Sequence, residues 1–158
     1  MPNAHLENIL IKINEAKLLY NQLVVIVGVP GSGKTIFMNK VTEKIGAPRI
    51  NVNLTLSKQL LDTPVKRRPL LVSKILGQII LDTEADTVLL DNTEMLFHPD
   101  LMTDPLQLFR QLSRNKTIVS SWNGAVSEGD LVYANPRHPE YKKYAGSDIT
   151  IIELNPKG

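Results

Sequence analysis

The sequence predicts an α/β fold: a three-layer α/β/α sandwich in which a mostly parallel, five-stranded sheet lies between two layers of helices. Strand patterns alternate with helical spacing along the chain, which is typical of parallel sheets with crossover helices. Residues 23–27, LVVIV, are continuously apolar and β-branched, as in a strand covered on both faces. The 158 residues are enough for a single core, so we expect one domain over residues 1–158.

Each element follows from its local pattern. Apolar residues recur every three or four positions over residues 6–20, which predicts an amphipathic helix. We expect this N-terminal helix, within residues 1–21, to pack on the core. The strand at 23–27 leads into a glycine-rich turn and then into a helix over 34–45, which stops at Gly46. A strand, a turn and a helix therefore follow one another directly.

The rest of the chain repeats this alternation. We predict strands at residues 49–53, 87–90, 117–120 and 149–154, and helices at residues 68–81, 104–113 and 139–144. Right-handed crossovers between parallel strands place the ligand-binding loops at the carboxyl edge of the sheet. The last predicted strand ends close to residue 158, so no C-terminal helical lid is expected.

Composition excludes several classes of protein. The formal net charge of +2 is too small to indicate a nucleic-acid-binding protein without a local basic patch. The chain has no cysteine, which excludes disulfides and thiolate metal sites and agrees with a reducing compartment. His5, His98 and His138 lack companions at metal-ligand spacing, so no structural metal is predicted. Apolar runs fall short of the ~20 residues of a membrane span and the N-terminus lacks a signal-peptide pattern, so we expect a soluble, cytoplasmic protein.

The glycine-rich turn matches a phosphate-binding motif. Residues 28–35, GVPGSGKT, satisfy GxxxxGK[ST] between a buried strand and a helix, which is the context that the motif requires. Glycines let backbone N–H groups surround phosphate oxygens, and the helix N-terminus adds partial positive charge. Lys34 is suited to the β- and γ-phosphates and Thr35 to Mg²⁺. The residues expected to bind the nucleotide, ATP, are Gly28, Pro30, Gly31, Ser32, Gly33, Lys34, Thr35 and Ile36.

A second motif places a carboxylate at the end of a later strand. Residues 87–90, TVLL, are apolar and lead directly to Asp91. Such a carboxylate organises the coordination shell of Mg²⁺ in phosphoryl-transfer sites, although strand-end aspartates also cap turns. We therefore predict that Thr35 and Asp91 together hold Mg²⁺.

The two motifs resemble those of the ASCE division of P-loop NTPases, and within it of the AAA+-like group, over most of the chain. The resemblance implies a P-loop NTPase fold and an acidic residue directly after the strand-end aspartate that polarises the attacking water. Here that position is Asn92, whose amide cannot accept a proton, so slow or partner-stimulated hydrolysis is expected. Glu94 is the candidate catalytic base, and a carboxylate that merely begins a helix is the alternative interpretation.

The same resemblance implies a polar sensor residue near the γ-phosphate, at the end of the strand in residues 117–123. Asn123 is the first candidate, with Ser120 and Ser121 as competitors. A plain turn at Asn-Gly is the alternative interpretation. The candidate catalytic residues are then Lys34, Asp91, Glu94 and Asn123.

Members of this family often act as oligomers in which a neighbouring subunit supplies an arginine, an effect worth roughly 10³–10⁵ in rate. Arg110, Arg114 and Arg137 are the candidates here, and an ordinary surface role is the alternative for each. The resemblance thus implies a nucleotide-dependent homo-oligomer.

A narrower resemblance rests on four segments. They are LVVIVGVPGSGKTIFMNKV (23–41), VKRRPLLVSKILGQII (65–80), DNTEMLFHPDLMTDPLQLFRQLSRNKTIVSSWNG (91–124) and LVYANPRHPEYKKY (131–144). Together they are similar to the small P-loop component, BrxF, of BREX phage-defence systems. That similarity implies a bacterial or archaeal protein that acts beside other defence components, including a methyltransferase and larger nucleic-acid-associated proteins.

Two further surface regions are candidates for macromolecular contact. Lys66, Arg67 and Arg68 form a basic cluster able to reach DNA phosphates, but no aromatic residue is interleaved, which favours a solvated face. The polar and aromatic segment from Tyr133 to Tyr144 is suited to contact with a nucleic acid or a protein.

The sequence thus supports one leading function and two alternatives. The leading hypothesis is Mg²⁺-dependent ATP binding with slow or partner-stimulated hydrolysis. The second is a nucleotide-gated assembly or DNA-contacting module with little or no hydrolysis. The third is a small-molecule kinase, for which no acceptor site is visible in the sequence.

Overall fold

The computed structural model describes residues 2–29, 31–133, 142–146 and 148–154. The helices are α1 (Pro2–Ala16), α2 (Lys34–Ile45), α3 (Val52–Leu60), α4 (Arg68–Asp82) and α5 (Pro105–Leu112). The strands are β1 (Leu23–Gly28), β2 (Arg49–Asn51), β3 (Thr87–Asp91), β4 (Thr117–Ser127), β5 (Asp130–Tyr133), β6 (Lys142–Tyr144) and β7 (Thr150–Glu153). Short 3₁₀ turns lie at Val65–Arg67, Glu94–Phe97 and Pro99–Leu101. No helix in these ranges is long and apolar enough to cross a membrane.

The central sheet is parallel and has the strand order β2-β3-β4-β1-β7. The strand before the phosphate loop, β1, and the strand that delivers Asp91, β3, therefore both flank β4. Their carboxyl ends meet at one edge of the sheet, where parallel α/β proteins bind ligands. The predicted three-layer architecture with five mostly parallel strands is confirmed.

The sheet is larger than predicted, because β4 continues well beyond the predicted end at residue 120. Its second half, from Gly124 to Ser127, pairs antiparallel with β5, and β5 pairs antiparallel with β6. A side chain at Gly124 would place its Cβ 1.8 Å from the Val132 carbonyl oxygen, so the close approach of β5 requires a glycine. The Asn-Gly pair at 123–124 thus lies within a strand, and the prediction of a turn there is wrong.

Two other element predictions are also wrong. Residues 52–53 begin helix α3 instead of ending strand β2, because the Asn51 side chain caps the helix by accepting the Leu54 N–H at 3.0 Å. Residues 142–144 form strand β6 instead of the end of a helix, and the rest of that prediction, residues 139–141, lies outside the described residues. The N-terminal helix ends at Ala16, four residues before its predicted end at residue 20.

The continuous apolar pattern of β1 is explained by a core on each of its faces. Leu23, Val25 and Val27 belong to the cluster formed with α3, α4 and α5. Val24 and Ile26 belong to the second cluster, with α1 and α2. All five side chains are fully buried, so β1 is the central support of the loop that follows it.

An aromatic cluster joins the antiparallel extension to the turn after β3. It consists of Phe97, Trp122, Tyr133 and Tyr144. Phe97 stacks on Tyr133 with ring centroids 3.7 Å apart, and Trp122 contacts Phe97 and Tyr144 edge to face at 4.9 and 5.1 Å. Tyr133 and Tyr144 therefore contribute to packing while remaining partly exposed, and contact of this segment with a partner stays a prediction. Arg137, His138 and Tyr141 of the same segment lie outside the described residues.

Candidate phosphate-binding site

Most of the predicted site residues meet in one cleft of about 380 Å³ at the carboxyl edge of the sheet, whereas Gly28 and Ser32 are not among its lining residues. Its walls come from the phosphate loop and α2, from the end of β3, and from β4. The lining residues are Gly31, Gly33, Lys34, Thr35, Ile36, Asp91, Asn92, Glu94, Ser121 and Asn123. Three segments that are distant in sequence converge here because β1, β4 and β3 are adjacent and parallel.

The loop backbone has the conformation that its glycines allow. Gly31 and Gly33 adopt φ angles of 83° and 91°, in the left-handed region that other residues rarely enter. A Cβ on Gly28 would lie 2.3 Å from the Ser32 hydroxyl, so the loop closes tightly against its own first residue. The predicted contact residue Pro30 lies outside the described residues.

The side chain of Lys34 is bound to the backbone of its own loop by hydrogen bonds. Its ammonium group donates to the carbonyl oxygens of Gly28 at 2.8 Å and Val29 at 2.9 Å. The residue is only 9% exposed. Burial lowers the pKa of this ammonium, and the carboxylates of Glu94 and Asp91 act in the opposite direction. The lysine is thus a largely buried cation that is bonded to its own loop and lines the cleft.

Asp91 links the end of β3 to the start of α2. Its Oδ2 accepts the Thr35 hydroxyl at 2.8 Å, and its Oδ1 accepts the Asn92 N–H at 2.9 Å. Arg49 donates to the same Oδ2 from Nη1 at 3.1 Å, an ion pair that sequence reasoning missed. Arg49 lies on β2 beside β3, and nothing in its local sequence distinguishes it from a surface arginine.

Thr35 and Asp91 supply the oxygen chemistry that Mg²⁺ requires. Their 2.8 Å hydrogen bond brings a hydroxyl and a carboxylate together, and both are hard oxygen ligands. Within the described ranges, no group of three or more histidine, cysteine, aspartate or glutamate residues is placed to hold a metal. Mg²⁺ is commonly bound by one or two carboxylates with substrate phosphates and water, so the two residues fit that ion.

Glu94 lies at the start of a 3₁₀ turn and also lines the cleft. Lys34 lines the same cleft, and the Glu94 carboxylate acts to raise the pKa of that ammonium, against the larger lowering by burial. Asn92, two residues earlier, has a φ of 53° and its carbonyl accepts the Asn53 N–H at 3.0 Å. This left-handed residue turns the chain so that Glu94 lines the cleft. The position of Glu94 agrees with either interpretation, and its role as a catalytic base stays a prediction.

β4 contributes the remaining polar wall. Asn123 lies opposite Gly28 in the β1–β4 register and lines the cleft, as a sensor residue would. Ser121 also lines the cleft, and its carbonyl accepts the Thr93 hydroxyl at 3.0 Å. Ser120 is fully buried and donates to that carbonyl at 3.2 Å. The geometry thus favours Asn123 and Ser121 over Ser120.

Arg110, Arg114 and the basic cluster do not line the cleft, and Arg137 lies outside the described residues. Arg110 makes a two-bond ion pair with Asp148, at 3.0 and 2.7 Å, which lowers the pKa of that carboxyl. The Arg114 guanidinium lies 5.4 Å from the centre of the Tyr20 ring. In the basic cluster, Lys66 and Arg67 are exposed in a 3₁₀ turn, whereas Arg68 begins α4 and donates from Nε to the Thr63 carbonyl at 3.0 Å.

A second, larger cavity of about 830 Å³ adjoins the cleft. Asn92 and Glu94 line both spaces, so the larger cavity opens beside the candidate catalytic base. Its apolar lining comes from Leu54, Leu60, Leu61, Met95 and Leu101. The sequence did not reveal this cavity because four of its lining residues lie on α3, the helix that was not predicted.

Comparison with known proteins supports the fold. No protein-family model matches the sequence, and no curated protein does. The structure is similar to that of C. elegans PCH-2, with a TM-score of 0.52 and 15% sequence identity, over 98% of this chain and 42% of that chain. This chain therefore spans less than half the length of that protein. The similarity shows the fold alone, an α/β sandwich with a mostly parallel sheet.

Proposed function

We propose that this protein binds ATP with Mg²⁺ and hydrolyses it slowly or when a partner stimulates it. The observation that carries the proposal is the meeting of Lys34, Thr35 and Asp91 in one cleft, across the gap between β1 and β3. The phosphate-loop motif supplies the reason for these residue types, and the tertiary structure supplies their proximity.

Each side chain has a separate task in this proposal. The loop N–H groups and the N-terminus of α2 bind the phosphate oxygens, and the Lys34 ammonium neutralises the β- and γ-phosphates. Thr35 and Asp91 hold Mg²⁺, which neutralises charge on the phosphate chain when it is bound. Asn123 donates its amide N–H to the γ-phosphate, and Glu94 accepts a proton from the attacking water.

Slow hydrolysis follows from the residue after Asp91. Asn92 presents an amide, which cannot accept a proton, so the only carboxylate among the cleft-lining residues besides Asp91 is Glu94. Glu94 belongs to a four-residue 3₁₀ turn, a short element with weaker hydrogen bonds than an α-helix. A base on such a turn depends on neighbouring contacts for its position, which is where a partner would act.

Calorimetric titration with ATP tests the binding proposal. We expect binding that requires Mg²⁺ and is lost in Lys34→Ala, whereas Lys40→Ala, on the exposed side of the same helix, binds as the wild type does. Ligand at 100 times its dissociation constant stabilises the folded state by about 2.7 kcal/mol, so the melting temperature rises only where ATP binds. Equal ATP binding by wild type and Lys34→Ala would refute the proposal.

A nucleotide-gated module with little hydrolysis is the second candidate function, and Asn92 is the observation in its favour. Phosphate release by wild type, Glu94→Gln and Asn92→Asp distinguishes the two. Aspartate tolerates the positive φ of residue 92 better than glutamate does, so this replacement restores a carboxylate with little strain. If the wild-type protein releases phosphate rapidly without any partner, the gated module is excluded. If the wild-type protein binds ATP but releases no phosphate, the ATPase is excluded.

Phosphate transfer to a small molecule is the third candidate, and the cavity of about 830 Å³ beside Glu94 now offers the acceptor space that the sequence lacked. The phosphate-release assay also tests this candidate if ADP is measured in parallel and a small-molecule extract is added as the source of acceptor. A kinase then forms ADP without releasing free phosphate. ADP and phosphate in equal amounts exclude it.

We propose further that the protein acts in the cytoplasm as a component of a BREX-type phage-defence system. The support for this role is the similarity of the four sequence segments. In a host that carries the system, we expect Lys34→Ala to lower the protection against phage that the wild type restores. Full protection by that variant would contradict the role.

Two partner proposals accompany this role. A nucleotide-dependent homo-oligomer predicts faster sedimentation with ATP than without. DNA contact through Lys66, Arg67 and Arg68 predicts salt-sensitive binding that the triple alanine variant loses, because exposed basic side chains bind phosphates by releasing counterions. DNA binding that is unchanged in the triple variant would contradict that contact.

A further inference from the structure

One oxygen of the Asp91 carboxylate, Oδ2, accepts two hydrogen bonds. It accepts the Thr35 hydroxyl at 2.8 Å and the Arg49 guanidinium at 3.1 Å, while Oδ1 accepts the Asn92 N–H at 2.9 Å. The Asp91 side chain is 3% exposed and that of Arg49 is 28% exposed. A carboxylate oxygen has two lone-pair sites, so both sites on Oδ2 are in use.

Arg49 therefore donates a hydrogen bond to the carboxylate oxygen of Asp91, Oδ2, that the proposed function assigns to Mg²⁺ coordination. Asp91 is the acid predicted to organise Mg²⁺, and Thr35, its other partner, is the predicted hydroxyl ligand. A guanidinium carries a full positive charge at any physiological pH and satisfies a buried carboxylate that would otherwise lie unpaired. The arginine thus supplies to Asp91 a positive charge of the kind that a bound metal would supply.

Charge balance favours this interpretation. In the free protein, two cations, Lys34 and Arg49, lie near two carboxylates, Asp91 and Glu94. Addition of Mg²⁺ brings two positive charges to the carboxylate that Arg49 already neutralises. Cations that share one oxygen repel each other, so the metal and the guanidinium compete for Asp91.

We propose that Arg49 is a metal-competing counter-ion, which stabilises Asp91 in the nucleotide-free protein and is displaced from Oδ2 when the Mg²⁺–nucleotide complex binds. This inference rests on the proposed function and adds a positioning residue to it. The arginine lowers the Mg²⁺ dependence of nucleotide binding for two reasons. Without the metal, it neutralises the Asp91 carboxylate, and with the metal, it competes with Mg²⁺ for the same carboxylate oxygen.

The test is the ratio of ATP dissociation constants in EDTA and in excess Mg²⁺, measured with a fluorescent ATP analogue. In Arg49→Met we expect binding about tenfold tighter than wild type with Mg²⁺, since no counter-ion must leave. In EDTA we expect weaker binding than wild type, because the bare carboxylate repels the phosphates. A merely structural role would shift both constants in the same direction, and that result would overturn the proposal.

Two further variants test whether misfolding causes the change in the ratio of dissociation constants. Arg49→Lys retains the charge and is expected to give a ratio between those of wild type and Arg49→Met. Lys116→Met, which removes a cation that donates to the Thr83 carbonyl, is expected to leave the ratio unchanged. Mg²⁺ alone should raise the melting temperature of Arg49→Met and not that of the wild type, and an equal response in both proteins would also overturn the proposal.

The outcomes separate this inference from the proposed function. Wild type that fails to bind ATP with Mg²⁺ refutes the function itself. Wild type that binds ATP, with the same EDTA-to-Mg²⁺ ratio as Arg49→Met, leaves the function intact and refutes the role of Arg49.

Discussion

The phosphate-binding cleft and the aromatic cluster both adjoin the turn Glu94–Phe97, but they are stabilised in opposite ways. In the cleft, buried charges are held by hydrogen bonds and by neighbouring charges, and burial lowers the pKa of Lys34. In the cluster, rings pack against rings, with Phe97 and Tyr133 only 3.7 Å apart. The first residue of the turn, Glu94, lines the cleft, and the last, Phe97, packs in the aromatic cluster.

This difference suggests that the nucleotide affinity and the free energy of unfolding depend on different residues. A desolvated lysine inside a tight loop is costly to the free protein and becomes useful when an anion arrives. Buried aromatic rings contribute to stability with or without a ligand. Substitutions in the cleft should therefore change nucleotide affinity more than stability, and substitutions in the cluster should do the reverse.

The largest effect is expected for Trp122→Ala. Trp122 is fully buried and donates its indole N–H to the Val132 carbonyl at 3.2 Å. Its loss leaves a cavity and an unpaired carbonyl, so the free energy of unfolding in urea should fall by about 3–5 kcal/mol. ATP affinity of the folded protein should stay within a few-fold of wild type. A loss of stability below about 1 kcal/mol would show that the cluster is not the anchor.

Gly28→Ala should have the reverse profile. Its Cβ would lie 2.3 Å from the Ser32 hydroxyl, so the loop must shift and its N–H groups lose their alignment. We expect ATP affinity to fall about 100-fold, or about 2.7 kcal/mol, by calorimetry. Gly77→Ala in α4 is the matched control, because its Cβ would meet no atom within 4 Å. That control should stabilise the protein by about 0.5–1 kcal/mol and leave affinity unchanged.

The cluster should also produce a transition in alkaline solution. Burial raises the pKa of Tyr144 to about 12, with smaller contributions from Asp104 and Tyr133. A phenol whose folded-state pKa exceeds its unfolded value near 10 stabilises the fold below pH 10, and this stabilisation disappears as the pH rises to 12. The loss should be on the order of 2 kcal/mol in urea unfolding. Tyr144→Phe should remove that pH dependence, and an unchanged profile would contradict the assignment.

The smallest effect tests whether the turn connects the two regions. Phe97→Leu retains an apolar side chain but loses the stack on Tyr133, which should cost about 1 kcal/mol of stability. Because Phe97 ends the 3₁₀ turn that Glu94 begins, we expect slower phosphate release at an unchanged ATP affinity. A rate equal to that of wild type would show that the anchor does not position Glu94.

Part of the site could be predicted from the sequence because its residues lie in short, continuous motifs. The loop motif, α2 and the strand before Asp91 are read from adjacent residues, and their bounds agree closely with the structure. Helix α3 was missed because its start depends on contacts outside its own pattern. Asn51 caps the helix, and the Asn53 side chain accepts the Met95 N–H at 2.9 Å from the turn after β3.

The sequence by itself determined the parallel sandwich, the phosphate loop and the carboxylate at the end of β3, since apolar periodicity and glycine spacing act over a few residues. Only the tertiary structure decided that Arg49 shares the oxygen of Asp91 with Thr35, that Asn123 lies opposite Gly28, and that the larger cavity opens beside Glu94. Those contacts join strands and turns whose adjacency is set by sheet order. Sheet order follows from the packing of the whole core, and no short stretch of sequence records it.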